Sequence, residues 1–298
     1  MCCLFGLLDP QQRMSGADKT KLLHALATAA EVRGTDAAGI AYHADGKLVI
    51  RKAPVPGRRL KFQIPDATIA VMGHARMTTQ GNEKFNRNNH PFRGKAPAGA
   101  FALAHNGVLW NDRELRQSLN LPSTKIETDS YIAVQLIEQK KTLDFSSLKY
   151  MAETVEGSFT FTVLDAEDSL YIVKGDSPLC LWRFPGGVCV YASTGEILHT
   201  ALSGFGVPME GVEKIETGSG EIVKIDREGK ITRGKFDDTK LYQTTWNYPR
   251  RRICGNTYLD ELKSVAAWMG YPPELIDHLL SRGYTPGELE ELLYAGEI

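Results

Sequence analysis

Cys2 stands directly behind the initiator methionine of a 298-residue chain. A small second residue permits removal of Met1, which would place a thiol and a free α-amine on one residue. An α-amine titrates near pKa ~7.7–8.0, so it is substantially unprotonated at neutral pH. It can then act as the base for its own side-chain nucleophile. The plain alternative is a cysteine that happens to begin the chain. Other residues with chemical potential follow: Arg33 and Asp36, then His74, Arg76 and Thr79, then His90, His105 and Asn106-Gly107, then Asp129. Each also has an ordinary reading. Asn106-Gly107 in isolation favours a type I′ hairpin turn. Arg33 and Asp36 read as a helix-end arginine and a capping aspartate. Arg76 and Asp129 read as surface ion-pair residues. His74, His90 and His105 lack tight His/Cys ligand spacing, so they are expected as hydrogen-bonded framework residues, with no metal.

The elements that would position these residues follow from periodicity. Cys2 to Leu8 is short and apolar and reads as a buried strand. Lys19 to Arg33 carries Leu22, Leu23, Leu26, Ala29 and Ala30 at helical spacing, with Gly34 at the stop. Ala38 to His43 and Lys47 to Arg51 form a hairpin across Asp45-Gly46. Thr68 to His74 and Phe101 to Leu109 read as strands. Gln80 to Gly99 is polar, with Asn, Gly and Pro throughout, and reads as a long loop, of a length that is usually functional or disordered. Ser130 to Gln139 is an amphipathic helix, with Thr128-Asp129 as its expected cap. From Ser158 to Ser193 four strands alternate with Asp, Gly and Pro turns. A hairpin, Glu221 to Ile225 with Ile231 to Gly234, closes the region. The order of elements indicates an α+β domain with layered sheets over residues 1–236. Residues 237–255, with Arg250-Arg251-Arg252, read as a linker. Residues 256–298 hold three short apolar-faced helices, Tyr258 to Met269, Pro273 to Arg282 and Pro286 to Tyr294, expected as a small bundle. Its Met269-Gly270-Tyr271 loop is faintly similar to that of a ubiquitin-associated domain, although a docking or dimer-forming role is favoured.

Composition narrows the function classes. A net charge of -1 gives no bulk attraction to nucleic acid or an anionic membrane. The arginine run reads as a solvated stretch, so a nucleic-acid partner is not expected. No apolar run is long enough for a bilayer span, and no secretory signal follows Met1. Five cysteines without a CxxC pair fit reduced thiols in a cytoplasm.

Taken in order, the blocks are Cys2-Cys3-Leu4-Phe5-Gly6, Arg33-Gly34-Thr35-Asp36-Ala37-Ala38-Gly39, Gly73-His74-Ala75-Arg76-Met77-Thr78-Thr79-Gln80-Gly81, His90-Pro91, His105-Asn106-Gly107 and Glu127-Thr128-Asp129. This succession resembles the class II, N-terminal-nucleophile glutamine amidotransferases over roughly residues 2–235. The resemblance implies a four-layer αββα sandwich of the N-terminal-nucleophile hydrolase type. It implies that Cys2 attacks the side-chain amide of glutamine to form a thioester. The Asn106 amide and the Gly107 N–H would then form the oxyanion site. Arg76 would clamp the substrate α-carboxylate, Asp129 its ammonium, and Thr79 would add a contact. Arg33 and Asp36 would brace the N-terminus, with His74 in support. No cofactor or metal is implied. Two positions depart from the family pattern: Cys3 replaces the usual glycine, and Met77 stands where several relatives carry an aromatic residue.

Family members usually pass ammonia to an acceptor domain, and no second catalytic motif is visible. The expectation is therefore a separate ammonia-accepting synthase subunit, or simple release of glutamate and ammonia. A homo-oligomer is compatible with the sequence. Two competing functions remain open: an N-terminal-nucleophile hydrolase acting on another small amide or peptide, and a catalytically silent binding module.

Overall fold

A computed structural model describes residues 2–205, 209–242, 258–284, 288–289 and 292–293. The chain divides into two compact units, Met1–Tyr242 and Gln243–Ile298.

In the first unit, β1 (Cys3–Leu8) is buried along its whole length. α1 (Gly16–Ala29) starts at Ser15, whose hydroxyl caps the Asp18 N–H, and a 3-10 turn extends it through Val32. Beside this start, Lys19 and Asp9 form a fully buried ion pair of 3.2 Å. Lys19 also donates to the carbonyls of Asp66 and Thr68. β2 (Ala37–Ala44) and β3 (Lys47–Ala53) form the expected hairpin. Its turn residues Asp45 and Gly46 have φ of 50° and 69°, as a type I′ turn requires. β4 (Ala70–Arg76), β5 (Phe92–Ala96) and β6 (Gly99–Leu109) follow. Then come α2 (Asp112–Ser118), α3 (Tyr131–Lys140) and α4 (Phe145–Thr154). β7 (Gly157–Leu164), β8 (Leu170–Lys174), β9 (Cys180–Arg183) and β10 (Cys189–Ala192) lead to α5 (Gly195–Ser203). β11 (Glu213–Ile215), β12 (Glu221–Ile225) and β13 (Ile231–Lys235) complete the strands.

Two antiparallel sheets result, a seven-stranded one ordered β11-β9-β10-β1-β4-β2-β3 and a six-stranded one ordered β13-β12-β8-β7-β6-β5. Alternation along each strand sorts side chains into three cores. Leu4, Met72, Ala104, Ile172 and Tyr191 fill the space between the sheets. Cys3, Phe5, Ala75 and Val190 point the other way, onto α1 and α5. Leu103, Phe159 and Phe161 point onto α3 and α4. The layers therefore run helix, sheet, sheet, helix, and the chain has the αββα sandwich.

Three local expectations need correction. Residues 80–99 are not one loop: a 3-10 turn forms at Asn86–Asn88, and β5 adds an edge strand. Phe92 and Gly94 are buried while Arg93 and Lys95 are exposed. One-sided burial at a sheet edge gives the polar composition of a loop. Second, Asp129 does not cap α3; Ser130 is the N-cap residue and its side chain makes no capping bond. Third, Phe236 and Leu241 are buried in the outer core of the six-stranded sheet, and a 3-10 turn covers Thr239–Tyr242. The first unit thus continues past residue 236.

The second unit contains α6 (Tyr258–Trp268) and α7 (Pro273–Ser281). Residues 288–289 and 292–293 are also helical. Among its described residues, Leu262, Ala266, Ile276, Leu289 and Leu293 are buried apolar side chains. Lys263 and Asp277 join α6 to α7 at 2.6 Å. Residues 243–255, with Arg250 to Arg252, lie outside the described residues.

Candidate active site between the two sheets

Strand parity gathers the candidates. Residues two apart share a face, so the phase of Leu4 and Leu8 aims Cys2 towards the six-stranded sheet. The phase of Met72 aims His74 and Arg76 the same way. The phase of Ala102 and Ala104 aims Asn106 back towards the seven-stranded sheet. Cys3 takes the opposite phase; its fully buried thiol lies among the side chains packed on α1 and α5. The cysteine that replaces the family's glycine is therefore kept off the Cys2 face.

Cys2 is partly buried, and its Sγ donates to the Met77 carbonyl at 3.3 Å. Burial pushes the thiol pKa up. The Met77 bond, Arg76 and Arg33 pull it back. Arg33 is buried beneath this residue and donates from Nε to the Cys2 carbonyl at 2.8 Å. Asp36 receives the Thr78 N–H at 2.7 Å, and its own N–H bonds the Arg76 carbonyl. These contacts permit close backbone approach: a Cβ on Gly34 would lie 2.4 Å from the Arg76 carbonyl carbon. Arg33 and Asp36 thus tie the first residue to the turn after β4; Arg33 does stand at the end of the helix, as the C-cap of its 3-10 turn, while the Asp36 carboxylate accepts the Thr78 N–H.

Arg76 is buried at the inner end of β4. Its Nη1 donates to Asn89 Oδ1 at 2.6 Å, and its Nη2 to the carbonyls of Gln80 at 2.6 Å and Gly81 at 3.0 Å. Burial lowers its pKa, opposed by charge on Cys2, Asp36, Asp129 and Glu83. Segment 77–91 therefore folds back on the guanidinium. Thr79 on that segment is exposed. Lys52 holds the far end of the segment through the carbonyls of Asn89 and Pro91. Burial and the Arg76 charge lower the Lys52 pKa to about 8.

Asp129 is buried and receives the Leu109 N–H at 2.7 Å and the Ser130 hydroxyl at 3.3 Å. It joins the end of β6 to the start of α3. His74 bonds the His105 carbonyl through Nε2 at 3.0 Å, which links β4 to β6 across the sheets. Burial drives the His74 pKa down to about 3, and it lowers His90 and His105 as well. The His74 and His90 rings meet tilted, with centroids 4.2 Å apart, and His105 stacks on Phe161 at 4.6 Å. These are neutral framework rings.

Asn106-Gly107 is not a turn; both residues lie inside β6, opposite Thr160 and Phe159. Gly107 has φ of 119°, and a Cβ there would lie 2.0 Å from the Ser158 carbonyl oxygen. Only glycine fits such a position. Asn106 is fully buried, and its Nδ2 donates to Ser193 Oγ at 2.6 Å. The same Oγ accepts the Leu4 N–H at 2.9 Å. Sequence reasoning missed Ser193. Its only signal is phase with Cys189 and Tyr191, which marks an inward residue without naming its partner. A surface hollow of about 620 Å³ is lined by His24, Val55, Arg58, Arg59, Leu60, Lys61 and Phe62. None of these is a candidate site residue.

A glutamine amidotransferase domain family model matches residues 74–200, from His74 into α5. Residues 74–200 thus carry a glutamine amidotransferase domain.

Within this domain the matched stretch holds Arg76, Thr79, Asn106, Gly107, Asp129 and Ser193, while Cys2, Arg33 and Asp36 precede it. Among similar proteins is the glutamine–fructose-6-phosphate aminotransferase [isomerizing] of Lactococcus lactis subsp. lactis, 34% identical over 161 residues. That match covers 51% of this chain and 26% of the relative. The Streptomyces coelicolor enzyme of the same name is 27% identical over 95% of this chain and 44% of its own length. The chain thus spans less than half the length of these relatives. In fold it is similar to the glutamine phosphoribosylpyrophosphate amidotransferase of B. subtilis, with a TM-score of 0.61, 22% identity, and 79% of this chain and 49% of that chain covered. An allosteric regulatory enzyme of purine biosynthesis superposes over the same shares of both chains, with a TM-score of 0.63 and 20% identity.

Proposed function

We propose that this amidotransferase domain hydrolyses the side-chain amide of glutamine, with Cys2 as nucleophile after removal of Met1. The observation that carries the reading is the Ser193 hydroxyl, bonded at once to the Leu4 N–H and the Asn106 amide. Through it, the strand that follows Cys2 and the strand that carries Asn106-Gly107 meet at one atom. The α-amine takes the Cys2 proton and the thiolate attacks the amide carbon. Asn106 and the Gly107 N–H stabilise the oxyanion. The protonated amine then passes its proton to the leaving ammonia, and water resolves the thioester to glutamate.

Arg76 is the proposed carboxylate clamp and Asp129 the ammonium site. Arg76 already binds the Gln80 and Gly81 carbonyls, so a bidentate grip on substrate requires segment 77–91 to yield some of those bonds. Thr79, exposed on that segment, would reach substrate through the same movement. Arg33, Asp36 and His74 are proposed as supports rather than reacting groups. The ammonia acceptor is proposed to be a separate synthase subunit in the cytoplasm. Support for a synthase partner comes from the relatives' names, which pair glutamine with a second substrate. No described helix is long and apolar enough to cross a membrane.

Purified chain should release glutamate and ammonia from glutamine. Cys2→Ala, and a variant whose Met1 is retained, should both lose that activity. Full turnover in either variant overturns the reading. Rejection of glutamine with turnover of another amide would favour a different N-terminal-nucleophile hydrolase. A free Cys2 N-terminus that fails to react with a glutamine-analogue electrophile would favour a silent binding module. Co-purification of the tagged chain tests for the synthase partner.

A further inference from the structure

Asn106 holds an arrangement that does not suit its proposed task. Its Nδ2 donor is spent on Ser193, and its Oδ1 is buried with no hydrogen-bond partner among the described residues. An oxyanion needs a donor, and an unpartnered buried acceptor is costly. The amide is nearly symmetric in shape, so half a turn about its last bond exchanges the two atoms with little movement. Ser193 suits both orientations. Its hydroxyl is fully buried and fixed by the Leu4 N–H. A hydroxyl both donates and accepts. With Nδ2 towards Ser193, Oγ accepts two N–H groups, and its own proton faces the Leu4 carbonyl at 3.5 Å. With Oδ1 towards Ser193, that proton forms a short bond to Oδ1. Nδ2 then points where the unpartnered oxygen now lies.

We infer that Ser193 is the positioning residue of the oxyanion site: its hydroxyl turns the Asn106 amide so that Nδ2 faces the reacting carbonyl. Leu4 is two residues from Cys2, so one Oγ sets both the strand of the nucleophile and the orientation of the donor. This inference rests on the glutaminase reading above.

The experiment measures kcat and KM for glutamine in wild type, Ser193→Ala, Ser193→Thr, Asn106→Ala and the Ser193→Ala/Asn106→Ala double variant. Asn106→Ala should lose about 10²–10³ in kcat. Ser193→Ala should lose on the order of ten- to hundredfold in kcat, the range for outer partners that orient a reacting group, with KM within about threefold. Binding of a glutamine-derived aldehyde, which forms a tetrahedral adduct on Cys2, should weaken by the same factor as kcat/KM. Ser193→Thr keeps the hydroxyl and should restore part of the loss. The double variant should match Asn106→Ala, because Ser193 acts through that amide. Multiplying losses, or wild-type kcat in Ser193→Ala, overturns the inference while leaving the glutaminase reading in place. If Ser193→Ala does not fold, Ser193→Cys replaces it; its weak donor should still cost kcat, and wild-type kcat there also overturns the inference. Wild-type protein inactive on glutamine overturns both.

Discussion

At the scale of single residues, Gly107 and Asn106 fail in different ways. Gly107→Ala places a methyl against the Ser158 carbonyl, so β6 must leave its partner strand. The expected outcome is loss of folded protein, read by circular dichroism. Asn106→Ala should fold and lose about 10²–10³ in kcat, roughly 3–4 kcal/mol of transition-state stabilisation. A normal melting temperature with depressed turnover distinguishes it from Gly107→Ala. From the motif register alone, Cys2 rather than Cys3 was legible as the candidate nucleophile. Why Cys3 is tolerated was not: its thiol joins the packing on α1 and α5 because neighbouring strand residues point to opposite faces. Ser193 was illegible for a related reason. Phase shows which way a serine points, but its partner Asn106 is 87 residues away.

At the scale of elements, segment 77–91 governs access to Arg76. Lys52 on β3 ties its far end, and Asn89 on the segment bonds Arg76 directly. Lys52→Met should therefore raise the glutamine KM by about tenfold, the worth of roughly one charge-assisted hydrogen bond, with kcat little changed. The lowered pKa adds a pH signature. Below pH about 8 the ammonium is present and the tie is strongest; above it the tie weakens. The wild-type KM should rise as pH passes 8, while the methionine variant shows a flat KM across that range. Steady-state kinetics at several pH values checks both. Elements with clear alternation, such as the β2–β3 hairpin, were legible in the sequence. β5 was not, because a strand buried on one side with lysine and arginine on the other reads as loop.

At the scale of the whole molecule, four layers place three histidines where water cannot reach. Unfolded imidazoles take up protons near pH 6.5. Native His74 stays neutral until about pH 3, and burial depresses His90 and His105 too. Between these limits the unfolded chain binds more protons than the native one. The stability contribution is thus complete above about pH 6.5 and is lost as pH falls towards 3. The free energy of urea unfolding, followed through this window, should fall steeply with acidification. His74→Gln should lower that slope by up to one proton relative to wild type. The layered class was legible from the order of elements. The pairing across layers was not, since no local pattern reports which inward side chains meet.

That pairing has a mechanical consequence. Cys2 leads into one sheet and Asn106 sits in the other, so the gap between the proposed nucleophile and the proposed oxyanion donor is the gap between the layers. Leu4, Ala104, Ile172 and Tyr191 are the spacers that set it. A wedge at Ala104 or a shaved spacer at Ile172 would alter turnover without touching a reacting atom. Hydrostatic pressure, which works on the voids between packed layers, becomes a dial on the same gap.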